Sequence, residues 1–257
     1  MNIKDCPDAL IADLQSRVAV ICTHPWGPLG GNMYDKVVTA TVLYFQRIMR
    51  VTTLRFNFTG SSIGWGRHHV QQVCDAADYL LNQLPNNPPS YILLVGYSYG
   101  ALIAASASAT IPACIGCISI APPWAVQHWL LLFNSTHHLR QSRQRQDLPR
   151  LFIIGDKDNF TPEQVFQKLV KTFTQSTGAV LKDANHFFSK RETDLMSVIG
   201  QWLLQTYPQA DGSLVKLGQC EFPIKWSSDE MMVSPPAAAG QQQQSSDGYG
   251  CGNLPTC

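Results

Sequence analysis

Short apolar runs alternate along the chain with longer stretches in which apolar residues recur every three or four positions. That alternation predicts a mostly parallel sheet joined by crossover helices. Residues 17–23 read as a buried strand, followed by a Pro/Gly loop from Pro25 to Gly31. Across residues 34–49, Val37, Val38, Val42, Leu43, Phe45 and Ile48 fall at helical spacing. Residues 52–58 form the next strand and 70–84 the next helix, which Asn86-Asn-Pro-Pro breaks before a strand at 91–95. A small-residue helix at 101–109, suited to close packing on a sheet, precedes strands at 114–120 and 151–154. Thr161-Pro-Glu-Gln164 predicts a helix start, with Thr161 as cap, Pro162 at the first helical position and Gln164 completing a capping box. A short strand at 179–181 and a helix at 193–204 close the pattern.

From about Ala210 the apolar period is lost. Pro235-Pro-Ala-Ala-Ala239, Gln241 to Gln244 and Gly248-Tyr-Gly-Cys-Gly252 are low in complexity and offer too little apolar surface to offset the entropy of ordering. The expected organisation is one domain over 1–209 and a disordered tail over 210–257.

Charge and composition narrow the partners. The net charge is +1 and 14% of residues are charged, so there is no global attraction to nucleic acid or to an anionic membrane. The short basic run Arg140-Gln-Ser-Arg143-Gln-Arg145 reads as a solvated loop. No apolar run reaches the roughly 20 residues of a membrane helix, and Met1 to Asp8 lacks the basic-then-apolar start of a secretory signal. The expectation is a soluble, cytoplasmic protein. Eight cysteines show no framework of short spacings, so free thiols are expected. Cys114-Ile-Gly-Cys117 has redox or metal spacing, yet it lies within an apolar strand and reads as core.

The chemistry centres on Gly96-Tyr-Ser98-Tyr-Gly100, set between a strand and a helix. In that context G-x-S-x-G is a nucleophile elbow: a tight, strained turn lifts the serine hydroxyl past the sheet edge, and the glycines let neighbouring backbone pass closely. The following helix start turns N–H groups toward a developing oxyanion. A serine hydroxyl needs a base, and the base an orienting carboxylate, in the chain order Ser, Asp or Glu, His. Residues 151–162 carry Asp156 and Asp158 beyond a strand end. Asp158 is preferred because it lies deeper in the loop, where it can turn over the sheet edge, while Asp156 reads as a turn former bonding local amides. His186 is the only histidine C-terminal to both aspartates.

A second oxyanion donor is expected from His24-Pro-Trp26-Gly-Pro-Leu-Gly30-Gly31-Asn-Met33, the loop after the first strand. The backbone N–H groups of Tyr99 and Trp26 are the predicted pair, and His24 reads as a structural hydrogen-bonding residue. The adjacent pairs His68-His69 and His137-His138 project about 100° apart on a helix and make poor metal sites. No metal and no cofactor are expected. Residues 124–133, rich in Trp and Leu, read either as a helix at the mouth of the site, with a surface for an acyl or aromatic group, or as ordinary core.

At these residues the chain resembles the α/β-hydrolase superfamily, and more narrowly its small, lid-poor members of the dienelactone-hydrolase-like and serine-aminopeptidase-like kind. The segments that carry the resemblance are His24 to Met33, Leu54-Arg-Phe-Asn-Phe58, Gly96 to Gly100, Gly155 to Pro162 and Ala184-Asn-His186-Phe-Phe188, within residues 15–205. The resemblance implies a twisted, mostly parallel sheet with helices on both faces and little or no lid. It departs at Thr59-Gly-Ser-Ser62, where an Arg-Gly-x-Gly-x-Ser-like run is expected, and at His68-His69. A serine nucleophile argues against dienelactone hydrolase activity itself. The expected function is hydrolysis of a carboxylic ester or thioester of a small molecule through an acyl-enzyme on Ser98. The alternatives are a peptidase or amidase on the same residues, or a catalytically silent hydrolase-fold protein that binds a ligand or partner.

Overall fold

The run Val18–Thr23 is buried at every position, as a strand covered on both faces requires. The computed structural model describes residues 9–60, 66–127 and 135–207. Along the chain its elements are β1 (Leu10–Ala12), β2 (Val18–Thr23), α1 (Lys36–Leu43), β3 (Thr52–Arg55), α2 (Arg67–Asp78), β4 (Tyr91–Tyr97), α3 (Tyr99–Ala107) and β5 (Cys114–Ile120). They continue with α4 (Ser135–Ser142), β6 (Arg150–Lys157), α5 (Glu163–Val170), β7 (Ser176–Asn185) and α6 (Glu192–Thr206). The seven strands lie in the order β1-β3-β2-β4-β5-β6-β7. All neighbours are parallel except β1, which runs antiparallel on the β3 edge.

The pleat divides the core in two. Ala19, Ile21, Ile92 and Leu94 face α2 and α3, where Val73, Ala76, Leu102 and Ile103 meet them. Val18, Val20, Leu93 and Val95 face the other way, toward Val37 and Val42 of α1 and Leu195 and Ile199 of α6. Burying each such Val, Leu or Ile contributes roughly 1.5–3 kcal/mol. This is the α/β-hydrolase architecture, with helices on both faces of a mostly parallel sheet. Among the described residues no helix is long and apolar enough to cross a membrane.

Several elements depart from the sequence reading. The apolar period of 34–49 and 70–84 is continuous, but each helix ends in a π-helical turn, Tyr44–Ile48 and Tyr79–Gln83. The edge strand β1 was not expected, and three residues carry too little period to announce it. At the opposite edge β7 is far longer than 179–181; its exposed residues Thr177, Gly178, Lys182, Asp183 and Asn185 are not apolar and left no strand pattern to read. Thr161 does not cap α5. Its hydroxyl donates to the Pro122 carbonyl at 2.6 Å and accepts the Trp124 N–H at 2.8 Å, so Pro162 becomes the N-cap without a side-chain bond, and no capping box forms. The expected tail over 210–257 lies outside the described residues.

Candidate active site

Strand β4 delivers Ser98 into a turn that only a strained backbone can make. Ser98 has φ 53° and ψ −120°, a region non-glycine residues seldom occupy. Its N–H donates to the Ile120 carbonyl at 2.8 Å, which ties the turn to β5. The flanking glycines are required by contact. A Cβ at Gly96 would stand 2.4 Å from the Gly100 carbonyl oxygen, and one at Gly100 would stand 2.6 Å from that of His24.

The two other predicted side chains arrive from the ends of β6 and β7. His186 Nε2 stands 3.0 Å from Ser98 Oγ, and its Nδ1 stands 2.9 Å from Asp158 Oδ2. A carboxylate oxygen only accepts, so Nδ1 carries the proton and Nε2 is left to accept from the serine hydroxyl. All three side chains are buried. Asp158 is held by its second oxygen: Oδ1 accepts the N–H groups of Phe160 at 2.7 Å and Thr161 at 3.1 Å. The local amide bonds expected of Asp156 therefore belong to Asp158. Asp156 instead lies within β6, with Oδ2 facing Lys182 Nζ at 3.8 Å and Oδ1 buried without a hydrogen-bond partner. The histidine is braced as well. Tyr97 donates its hydroxyl to the His186 carbonyl at 3.2 Å, and the Phe160 ring lies 4.3 Å from the imidazole, centre to centre.

The predicted oxyanion loop is strapped against this elbow. Thr23 Oγ1 donates to the Gly100 carbonyl at 3.0 Å. His24 donates from Nδ1 to the Pro25 carbonyl at 2.6 Å and accepts the Phe58 N–H on Nε2 at 2.8 Å, so it joins the loop to the chain beyond β3. Burial holds His24 far below the usual imidazole range, at about 4, which keeps it neutral and suited to that bridging role. Gly31 closes the loop on itself, since a Cβ there would stand 2.4 Å from the Pro25 carbonyl oxygen. Trp26 lines the space beside Ser98. Tyr99 opens α3, so its N–H is among the first-turn donors that have no acceptor within the helix. Its side chain turns away to His69, whose Nδ1 lies 2.7 Å from the Tyr99 hydroxyl.

Ser98 and His186 open onto a cavity of about 360 Å³. Its walls are mostly apolar, with Trp26, Leu29, Pro123, Phe160 and Phe187, and Asp35 stands among them. The sequence reading missed Asp35. It is the N-cap of α1, with Oδ1 accepting the Val37 N–H at 2.9 Å, and an aspartate before a helix invites no second explanation. Trp124 belongs to the core, 5.1 Å from Phe152 and 5.8 Å from Phe166 between ring centres; residues 128–133 of that predicted helix lie outside the described residues. The histidine pairs are spent locally. His69 stacks on Phe58 at 4.7 Å, His68 Nε2 lies 2.9 Å from Gln72 Nε2, and His138 Nδ1 lies 3.0 Å from Ser106 Oγ.

Comparison with known proteins gives this geometry a family. Residues 49–197, more than half of the 257-residue chain, match the family described as serine hydrolase (FSH1). The chain belongs to the FSH1 serine hydrolase family. As a serine hydrolase of that family it carries Ser98, Asp158 and His186 inside the matched region, while Trp26 and Asp35 precede it. An uncharacterized protein of Schizosaccharomyces pombe is 26% identical over 199 residues, 73% of this chain and 86% of that protein. Among solved structures, an α/β serine hydrolase homologue from Coxiella burnetii is 25% identical with a TM-score of 0.60, over 74% of this chain and 88% of its own. A lid-less α/β serine hydrolase from Xanthomonas campestris is 26% identical with a TM-score of 0.59, over 76% and 84%. Est1E from Butyrivibrio proteoclasticus, bound to ferulic acid, shares the fold with a TM-score of 0.66 at 14% identity, over 81% and 100%.

Proposed function

We propose that this serine hydrolase cleaves small carboxylic esters or thioesters through an acyl-enzyme on Ser98. The observation that carries the reading is the unbroken line from Asp158 Oδ2 through the His186 ring to Ser98 Oγ, at 2.9 and 3.0 Å, opening onto an apolar-walled cavity.

Ser98 Oγ attacks the acyl carbonyl as His186 Nε2 takes its proton. Asp158 holds the imidazole in the required tautomer and offsets the positive charge that forms on it. The tetrahedral oxyanion sits against the N–H groups of Tyr99 and Trp26, where fixed donors need no reorganisation as charge develops. His186 then returns the proton to the departing alcohol or thiol, and water enters by the same sequence in reverse to release the acid. The apolar walls suit an acyl chain or aromatic ring, and one of the solved neighbours of this fold is an esterase, Pf2001 of Pyrococcus furiosus.

The test is labelling with a fluorophosphonate, which phosphonylates an activated serine. Wild type is expected to label to one equivalent and Ser98→Ala not at all. Equal labelling of both proteins would sink the reading. Turnover of a p-nitrophenyl ester series beside aminoacyl amides then separates esterase from peptidase action.

A further inference from the structure

One charged group in the cavity has no part in the proposed acyl transfer. Asp35 lines the same cavity as Ser98 and His186, yet the hydrogen bonds described for its carboxylate go to the backbone N–H groups of Val37 and Val38 at the start of α1. Capping a helix does not explain why a carboxylate faces an apolar pocket, because Ser, Thr or Asn caps equally well without bringing a charge. Among the described residues no lysine or arginine lines the cavity. The internal segments outside them, 61–65 and 128–134, contain neither residue type. Lys36, next in the chain, is exposed and does not line the cavity. The titratable groups that approach Asp35 are His186, from the end of β7, its chain neighbour Lys36, and the phenol of Tyr97 on β4. Three aromatic residues line the same cavity: Trp26 from the oxyanion loop, Phe160 from the loop after β6, and Phe187, which is 59% exposed.

From this arrangement we infer that Asp35, with Trp26, Phe160 and Phe187, forms a subsite for a cationic group, so that the preferred esters carry an ammonium. The inference rests on the ester-hydrolase reading for its substrate class, though the cation site itself does not. A carboxylate and π faces together bind ammonium ions by direct charge attraction and by the ring quadrupole, and both act more strongly where water is displaced. An anionic substrate would meet Asp35 at close range and be rejected. Burial pushes the Asp35 carboxyl up from its ordinary value, partly offset by its backbone hydrogen bonds, His186 and Lys36, and a bound cation would compensate the remaining cost.

The test uses Asp35→Asn in the full chain, a change that keeps an N-cap acceptor for Val37 and removes only the charge. Calorimetric titration with phenyltrimethylammonium should show binding to wild type that weakens roughly tenfold or more in Asp35→Asn. Butyrylcholine should be preferred over its uncharged isostere 3,3-dimethylbutyl butyrate by roughly tenfold in kcat/KM, with the ratio falling toward one in the variant. Cation binding that is absent, or equal in the two proteins, overturns the subsite. So does an unchanged ratio with both rates reduced together, which would make Asp35 a support for the His186 imidazolium instead. Asp35-dependent cation binding without turnover of either ester would uphold the subsite and count against the ester-hydrolase reading.

Discussion

Gly100 and His24 touch so closely that a methyl group on Gly100 would stand 2.6 Å from the His24 carbonyl oxygen. The contact presses the first turn of α3 onto the loop that carries Trp26, and the Thr23 hydroxyl bonded to the Gly100 carbonyl holds it shut. Two segments 77 residues apart are thereby fixed as the two sides of one prospective oxyanion site. Gly100→Ala must displace backbone, since no flexible side chain is there to yield. We expect a loss of about 1–3 kcal/mol in stability and slower fluorophosphonate labelling than wild type, measured by urea unfolding and by labelling rate. Unchanged values for both would mean that the contact does not position the loop.

Asp158 has two jobs divided between its oxygens, one structural and one toward His186. Asp158→Asn can keep the structural acceptor for Phe160 and Thr161 while the amide favours the wrong imidazole tautomer. The expected result is a fall in kcat on the order of 10⁴-fold with little change in the denaturation midpoint. A modest kinetic effect would point to Asp156 as the partner.

Two buried histidines give stability a pH dependence. His24 is held to about 4 by burial, and His69 to about 4 by burial and the neighbouring His68 and His24. The folded protein keeps both neutral, whereas the unfolded chain protonates them near the ordinary imidazole value of 6.5. Their contribution is therefore complete above about pH 6.5 and falls off as the pH drops from there toward about 4. The loss is expected to be on the order of 3 kcal/mol per histidine at the acid end. Unfolding free energies across pH 7.5 to 5 should show this slope for wild type and a shallower one for His24→Gln. Parallel slopes would contradict the assignment.

The fold and most of the site were legible because each depended on order along the chain. The strand–turn–helix setting of Ser98, then a strand-end aspartate, then a single later histidine, left few arrangements to choose among. What failed was whatever depends on three-dimensional neighbours. Nothing local to Thr161 shows that its hydroxyl is drawn to the Pro122 carbonyl, across from another loop. Asp156 and Asp158 are two residues apart in similar surroundings, and only the fold shows which one gathers the loop amides. The π-helical turns share the apolar period of the α-helices they extend. Asp35 was hidden by a sufficient local explanation, its helix cap.

The CxxC spacing yields a chemical prediction of its own. Burial pushes the Cys114 thiol up to about 12 and the Cys117 thiol up to about 11, while nearby arginines only partly oppose it. Both sit in β5 as free thiols. Iodoacetamide at pH 8 should leave both unmodified in the folded protein and alkylate them in urea, as peptide mass mapping would show. Rapid modification of either in the folded state would revive a redox role.

If Ser98 forms the covalent intermediate, a carbamate will trap it there. p-Nitrophenyl dimethylcarbamate transfers a carbamoyl group that leaves serine slowly, so the intermediate can be weighed. One equivalent of p-nitrophenol per chain and a single carbamoyl mass increment on the peptide containing Ser98 are expected, with neither in Ser98→Ala. Stoichiometric release with the increment on another residue, or release that persists in Ser98→Ala, would contradict a covalent role for Ser98.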